Sequence, residues 1–171
     1  MFNFFKGVIS PKVTSTKEAS TKKRTISAAG LALIKNEEKC VLTAYMPTKN
    51  DKPTIGYGHT AGVKMGDTIT QAEAELFLLQ DLEWAEAAIN SLVKVPLTQN
   101  QFDALVSLVF NIGIGNFSES SLLRELNSGN YDVAASKFAQ WNKQRSKTTG
   151  KLVELKGLTK RRAKEAALFN T

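Results

Sequence analysis

Three carboxylic acids near the start of the chain have the types and spacing that acid–base cleavage of a glycosidic bond would need. Glu37 and Glu38 are adjacent, and Asp51 lies thirteen residues after Glu38, with the hydroxyl of Thr54 three residues further on. Such cleavage requires one acid that protonates the leaving oxygen and a second group that handles water or the developing cation. Adjacent glutamates are often only solvated, and Asp51 lies among turn-forming residues, so spacing alone leaves a structural role open.

A helix and a small sheet are predicted to carry these acids. Ser27 has the residue type of a helix N-cap, and the helix that follows it is predicted to end near Glu38. From Val41 to Thr60, short β-prone runs alternate with turn-forming residues, which predicts a small antiparallel sheet. The acids would therefore lie where the first helix meets the sheet.

The rest of the chain is predicted to be mainly helical. Two capping boxes, Thr70 with Glu73 and Thr98 with Gln101, predict long helices that end near Ser91 and Ile112. Further helices are predicted at 122–126, closed by Gly129, at 131–141, and after a cap at Thr159, with a basic loop or hairpin over 143–157. Trp84 and Trp141 are predicted to lie in the core. The fold class is therefore α+β, with helix dominant.

The distribution of charge constrains the partners of this 171-residue chain. Its net charge of +7 comes from 23 basic and 16 acidic side chains, and it divides into +5 for residues 1–25, −5 for 26–142 and +7 for 143–171. A small DNA-binding domain would place positive charge on its folded reading surface, so nucleic acid is not expected as a partner. Basic ends around an acidic middle favour contact with an anionic lipid or lipopolysaccharide surface.

The first 25 residues differ in composition from the rest of the chain. Residues 10–25 are rich in Ser, Thr and Lys, which predicts a flexible basic tail, and an apolar Phe-rich head precedes them. This head could lie on a membrane surface or dock on the folded part. No apolar run approaches the roughly 20 residues of a membrane span, and the start of the chain lacks the pattern of a secretory signal.

The chain has one cysteine, Cys40, and one histidine, His59. A single cysteine forms no internal disulfide, and one histidine with one cysteine is a poor metal site. Neither a metal nor a cofactor is therefore predicted. Gly56 and Gly58 lack the surroundings of a phosphate-binding loop and favour a tight sheet.

Several segments match one known pattern. The most specific is Thr-Ile-Gly-Tyr-Gly-His-Thr at 54–60, and it follows Glu38 and the segment Leu42–Tyr45. Further matching segments lie at 97–107, 110–113 and 157–162. In these motifs, from Ile26 to Phe169, the chain resembles the phage-type lysozymes, or endolysins. The resemblance implies a lysozyme-like fold with an active-site cleft between the sheet region and the helical lobe, so residues 26–171 are expected to form the catalytic domain and 1–25 its tail.

The resemblance also implies a catalytic set, which is Glu38, Asp51 and Thr54. Glu38 lies seven residues before Tyr45, as the family glutamate does, whereas Glu37 is one residue too early. The family aspartate would lie nine residues after Glu38, where this chain has Pro47, and the loop to Thr54 is one residue longer. Asp51 is the only carboxylate in that loop and is taken as the substitute. The alternative is that Glu38 and Thr54 act with water alone.

The activity implied is hydrolysis, with inversion, of the β-1,4 bond between N-acetylmuramic acid and N-acetylglucosamine in peptidoglycan. Tyr57, His59, Phe110 and Asn111 are the expected substrate-binding residues, with a structural role open for His59 and a core position open for Phe110. The enzyme is expected to be a monomer that waits in the host cytoplasm until a holin opens a pore. The alternative function is a membrane-active, polyanion-binding antibacterial protein that acts through its basic ends.

Overall fold

The computed structural model describes residues 23–171, so the predicted head and most of the predicted tail lie outside the described residues. In chain order, its elements are α1 (Ala28–Glu37), β1 (Val41–Tyr45), β2 (Thr54–Gly56), α2 (Gln71–Leu92), α3 (Gln99–Ile112), α4 (Ile114–Ser118), α5 (Ser121–Asn127), α6 (Tyr131–Lys137), a 3₁₀ helix (Phe138–Trp141), β3 (Lys143–Arg145), β4 (Leu152–Glu154) and α7 (Lys156–Phe169). Over the same residues, no helix has both the length and the apolar character that a membrane crossing requires. The α+β prediction is confirmed.

The first helix and the first sheet form as predicted. The Ser27 side chain caps α1 by accepting a hydrogen bond from the Gly30 N–H at 3.2 Å. Glu38 is the C-cap, with extended backbone at φ −100° and ψ 135°, so the chain leaves the helix there and enters β1 three residues later. β1 pairs with β2 in antiparallel orientation, with Tyr45 opposite Thr54. The junction of helix and sheet therefore falls at Glu38.

The start of α1 is attached to α3 through a buried carboxylate. Asp103 has no exposed surface and accepts hydrogen bonds from the Ser27 backbone N–H at 3.0 Å, from the Ser27 hydroxyl and from the Gln99 amide at 2.8 Å. Gly30 permits this approach, because a Cβ at that position would lie 2.6 Å from the Asp103 side chain. Close packing of the two helices thus requires glycine at position 30.

The centre of the molecule is α3, which is buried on nearly all sides. Residues 102–109 are all buried, and α3 contacts α1, α2, α4 and α7. A helix that is apolar around most of its circumference is expected in the middle of a helical core. Each fully buried Leu or Phe side chain there contributes about 1.5–3 kcal/mol of hydrophobic stabilisation.

Both predicted capping boxes are present. The Thr70 side chain accepts from the Glu73 N–H and the Glu73 carboxylate accepts from the Thr70 N–H, and Thr98 with Gln101 forms the equivalent pair. The first box starts the 22-residue helix α2, which contacts β2 at one side and α3 at another. Helix α2 therefore connects the sheet region to the helical lobe.

Three predictions for the helical part of the chain differ from the structure. The segment 131–141 is not one helix but α6 followed by a 3₁₀ helix. Helix α7 starts at Lys156 rather than after Thr159, because the Thr159 N–H already donates to the carbonyl of the N-cap residue Leu155, at 2.9 Å. Trp84 is not a core residue: it is 39% exposed and stacks on Phe110.

Candidate active site

Glu38 lies at the junction of α1, the sheet and α7, where its carboxylate is partly open to solvent. Its side chain is 27% exposed, and its Oε1 accepts a hydrogen bond from Nη1 of Arg161 at 2.6 Å. Arg161 is 123 residues further along the chain, in the first half of α7. A buried guanidinium therefore holds the proposed acid in one orientation.

The neighbouring glutamate has a different partner. The Glu37 carboxylate pairs with Nζ of Lys164, whose side chain is 56% exposed, at 2.5 Å. The Lys164 end of this ion pair is open to solvent, whereas the Glu37 side chain is only 14% exposed. The two adjacent acids are thus held by different residues of α7, one buried and one exposed.

Behind Arg161 lies a buried cluster of charged and polar side chains. Glu165 has no exposed surface, and its Oε1 accepts from Ser107 Oγ at 2.7 Å, from Arg161 Nε at 3.2 Å and from Arg162 Nη2 at 2.9 Å. The second oxygen, Oε2, lies 2.7 Å from Arg162 Nε. These two atoms form an ion pair, but their geometry does not meet that of a hydrogen bond. Two guanidinium groups therefore surround one carboxylate in the absence of bulk water.

Burial affects the ionisation of this cluster in opposite directions. It raises the pKa of Glu165, while the charge of Arg162, the hydrogen bond from Ser107 and the charge of Arg161 act to lower it. Burial lowers the pKa of Arg162, while the negative charge of Glu165 acts to raise it. Both directions follow from the cost of placing a charge in a medium of low dielectric constant.

Asp51 and Thr54 lie on the sheet side of the site. Thr54 begins β2 and is buried, and its hydroxyl donates to the Lys52 carbonyl at 3.0 Å, which leaves its oxygen available as an acceptor. Asp51 lies in the connection between the two strands and is exposed. Within residues 23–171, no side chain or backbone group donates a hydrogen bond to its carboxylate. The structure therefore places Asp51 in the same lobe as Thr54, with nothing that holds its side chain.

The single histidine is part of the framework of this lobe. His59 is 8% exposed and stacks on Phe77 with ring centroids 4.5 Å apart. Its Nδ1 lies 2.9 Å from the Asp81 carboxylate and its Nε2 lies 3.0 Å from the Ala61 carbonyl. Because both ring nitrogens already have partners, this geometry does not support the expected substrate contact and agrees with the structural alternative. The described part of the chain contains no group of three side chains that could hold a metal ion.

The other expected substrate-binding residues vary in their exposure. Tyr57 is 8% exposed, and its hydroxyl oxygen accepts from the Gln71 amide at 2.8 Å. Phe110 is half-buried, with its ring 6.1 Å from that of the exposed Trp84. Asn111 is exposed, and its Oδ1 accepts from Arg162 at 3.0 Å. Phe110 and Asn111 thus lie at the surface end of α3, whereas Tyr57 is largely enclosed.

Sequence reasoning did not identify the cluster that contacts Glu38. The only local signal was the spacing of Arg161, Arg162 and Glu165, three and four residues apart on one predicted helix, which is favourable for ion pairs. Their contacts with Ser107 and Glu38 join three helices that are distant in sequence. Such contacts follow from packing and have no local signature.

Comparisons with known proteins give one consistent result. The family model described as phage lysozyme matches residues 35–165. An endolysin of Acyrthosiphon pisum secondary endosymbiont phage 1 is 49% identical over 146 residues, which cover 85% of this chain and 98% of the relative. An endolysin of Salmonella phage P22 is 46% identical over 149 residues, covering 84% and 97%. The solved muramidase domain of SpmX from Asticaccaulis excentricus superimposes with a TM-score of 0.81 at 42% identity, covering 86% of this chain and 99% of that one.

Proposed function

The chain belongs to the phage lysozyme family, and on that basis we propose how its own residues cleave the glycan strands of peptidoglycan. It is a lysozyme-type glycoside hydrolase that acts on peptidoglycan as a phage endolysin. The relatives named above are endolysins and a muramidase domain, so a primary function as a membrane-active antibacterial protein is not supported. The specific bond is proposed to be the β-1,4 linkage from N-acetylmuramic acid to N-acetylglucosamine.

Glu38 is the proposed general acid. The observation that carries this assignment is the contact of its partly exposed carboxylate with the buried Arg161, at the end of α1. A carboxylic acid fixed in one orientation and still reachable from solvent is able to donate its proton to the oxygen of the leaving sugar. Glu37 is less suited, because its side chain is only 14% exposed, against 27% for Glu38.

Asp51 and Thr54 are proposed to act on the attacking water. The Thr54 hydroxyl donates to the Lys52 carbonyl, so its oxygen can accept a hydrogen from the water and turn the water's lone pair toward the anomeric carbon. Asp51 is exposed, and its carboxylate accepts no hydrogen bond from the described residues. It would take the proton released by that water and stabilise positive charge on the sugar. Attack from the face opposite the leaving group gives inversion, which requires carboxyl groups about 6.5–9.5 Å apart.

Phe110 and Asn111 are proposed to contact the sugar from the surface end of α3, with Trp84 as an added apolar surface. The exposed ring of Trp84 stacks on the half-buried ring of Phe110 and presents an apolar surface, and Asn111 is exposed beside them. Tyr57 retains a hydroxyl hydrogen for a substrate oxygen, since its oxygen acts as the acceptor toward Gln71. For His59 we propose a supporting role instead.

The contact of the enzyme with the envelope is proposed to involve its basic ends. Strands β3 and β4 form a hairpin that is exposed on both faces and carries four exposed cations, Lys143, Arg145, Lys147 and Lys151, beside Leu152, which is 62% exposed. Basic and aliphatic side chains together favour an anionic lipid or lipopolysaccharide surface. We further propose that the enzyme acts as a monomer and reaches the wall from the host cytoplasm through a holin pore.

The test is digestion of purified peptidoglycan by the full chain, followed by mass spectrometry of the products. Reducing-end muramic acid is expected, while reducing-end glucosamine or cut peptides would contradict the proposed bond. Glu38→Gln is expected to fold normally and to lose about 10²–10⁴-fold in rate, because a general acid contributes about that factor. Glu37→Gln is the matched control and should keep most of its activity. An active, folded Glu38→Gln enzyme would remove Glu38 from the mechanism.

A further inference from the structure

The fully buried carboxylate of Glu165 is separated from the proposed acid, Glu38, by one side chain, that of Arg161. It takes no part in the proton transfers proposed above. Glu165 has no exposed surface and contacts Ser107, Arg161 and Arg162. A glutamate is almost never completely buried unless it is paired. The question is whether this pairing serves the fold alone or also the reaction.

The geometry of Arg161 connects Glu165 to Glu38. The three guanidinium nitrogens of Arg161 have three different partners: Nε donates to Glu165 at 3.2 Å, Nη2 to the Ser107 carbonyl at 3.4 Å and Nη1 to Glu38 at 2.6 Å. Because the guanidinium is planar and rigid, partners for two of its nitrogens determine the direction of the third. Glu165 and the Ser107 carbonyl therefore direct Nη1 at the acid.

The charges of the cluster provide a second link. Arg161 and Arg162 carry two positive charges, and Glu165 with an ionised Glu38 carries two negative charges, so the four groups sum to zero. A general acid must be protonated before it acts, and the cluster then holds one excess positive charge. Without the Glu165 carboxylate the excess would be two, which opposes protonation of Glu38.

The remaining groups around Glu38 do not replace this balance. Glu37 of α1 also attracts the charge of Arg162, but its carboxylate is paired with Lys164 of α7, whose positive charge offsets it. From α3, Ser107 and Asn111 contribute only uncharged contacts to the two arginines. Among the described residues, Glu165 is therefore the carboxylate that forms ion pairs with both buried guanidinium groups.

We propose that Glu165 is a positioning residue for the hydrolysis: its buried carboxylate fixes the Arg161 guanidinium that orients Glu38, and its negative charge offsets the two guanidinium charges that oppose protonation of Glu38. The proposal rests on the role of Glu38 as the general acid. It gives the ion-pair cluster of α7 a function in the reaction in addition to its role in packing.

The test uses Glu165→Gln in the full chain, with kcat and KM measured on solubilised peptidoglycan fragments across pH. The variant keeps the shape of the side chain and removes the charge. We expect kcat at neutral pH to fall by roughly tenfold and the alkaline limb of the profile to move down by about one pH unit, since one unit corresponds to a tenfold change in protonation equilibrium. KM should change little, because Glu165 does not reach the substrate.

A purely structural role would give a different result. Leu126→Ala, in the buried face of α5 and remote from the cluster, is the matched control, since it lowers stability through a cavity without changing any charge. If Glu165→Gln lowers the melting temperature but its pH profile superimposes on those of wild type and Leu126→Ala, the proposal is overturned.

A second variant decides the matter if Glu165→Gln does not fold. Ser107→Ala removes only the 2.7 Å hydrogen bond to the Glu165 carboxylate. A smaller shift of the alkaline limb in the same direction supports the proposal, and an unshifted profile overturns it. Failure of the proposed function is recognised separately, because an active Glu38→Gln enzyme would exclude Glu38 as the acid whatever the Glu165 variants do.

Discussion

The two carboxylates proposed for catalysis differ in how their side chains are held. Glu38 is oriented by Arg161, whereas Asp51 is exposed and receives no hydrogen bond from the described residues. An oriented acid and a loosely held base are compatible with an inverting reaction, in which the base must leave room for a water molecule. The assignment of Asp51 is thus the one that mutation tests most directly.

Replacing Asp51 by asparagine is expected to reduce the rate on purified peptidoglycan by about 10²–10⁴-fold, the usual contribution of an acid–base group. Stability should be unchanged, because Asp51 is exposed and its carboxylate accepts no hydrogen bond from residues 23–171. The control is the double variant Asn50→Asp/Asp51→Asn, which keeps the charge of the loop and moves the carboxylate by one residue.

The two variants together separate catalysis from loop structure. Activity near wild type in Asp51→Asn would return Asp51 to a turn-forming role and favour the alternative in which Glu38 and Thr54 act with water alone. Recovery of activity in the double variant would indicate a requirement for negative charge in the loop rather than for a carboxylate at position 51.

At the scale of the secondary structure elements, α2 connects the sheet region to the helical lobe, and its start is well defined. The capping box of Thr70 and Glu73 closes the first turn, and the hydrogen bonds from the Thr70 backbone and side chain lower the pKa of Glu73. A lowered pKa means that the folded state favours the ionised carboxylate. The box therefore stabilises the fold above the ordinary carboxyl pKa, and this contribution disappears as the pH falls through the lowered value.

Glu73→Gln is expected to weaken this pH dependence. Wild type should be more stable than the variant at neutral pH, and this difference in the free energy of unfolding should shrink at pH values below the lowered pKa of Glu73. Urea unfolding of both proteins at a series of pH values measures the difference. The second box offers the control, because Gln101 occupies the same place without a titrating group. A difference that stays constant across pH would contradict the expected role of the charge.

At the scale of the whole molecule, the positive charge lies at the ends of the chain and the proposed catalytic acids lie in its acidic middle. Of the basic residues at the carboxyl end, Arg161 and Arg162 are buried in the site, while those of the β3–β4 hairpin are exposed. We therefore propose two separate uses for the charge of this end: orientation of the site and attraction to the envelope. The second is screened by salt, since the groups are exposed.

Removal of residues 1–22 is expected to leave digestion of isolated peptidoglycan unchanged, because the match to the phage lysozyme family and the residues proposed for catalysis lie between residues 35 and 165. Lysis of intact Gram-negative cells from outside should fall, since it requires contact with the outer membrane, and the difference should be largest at low salt. Wall digestion and cell lysis are measured in parallel with the full chain as control. Loss of wall digestion itself would mean that the tail is needed by the enzyme.

The amino-acid sequence by itself determined the elements whose signals are local. The capping boxes at Thr70 and Thr98, the cap at Ser27 and the turn-rich connection between β1 and β2 each act over a few neighbouring residues, so the helix starts and the first sheet were predicted correctly. The fold class and the family followed from the same segments. The place of Glu38 at the end of α1 also follows from local signals.

Only the tertiary structure decided which distant residues meet. The contact of Glu38 with Arg161 spans 123 residues, and that of Ser107 with Glu165 spans 58. The position of Trp84 at the surface, stacked on Phe110, also depends on a neighbour outside its own helix. Side-chain burial and ion pairing depend on how helices pack, which the local pattern of one helix does not contain, so the environment of the proposed acid became visible only in the folded chain.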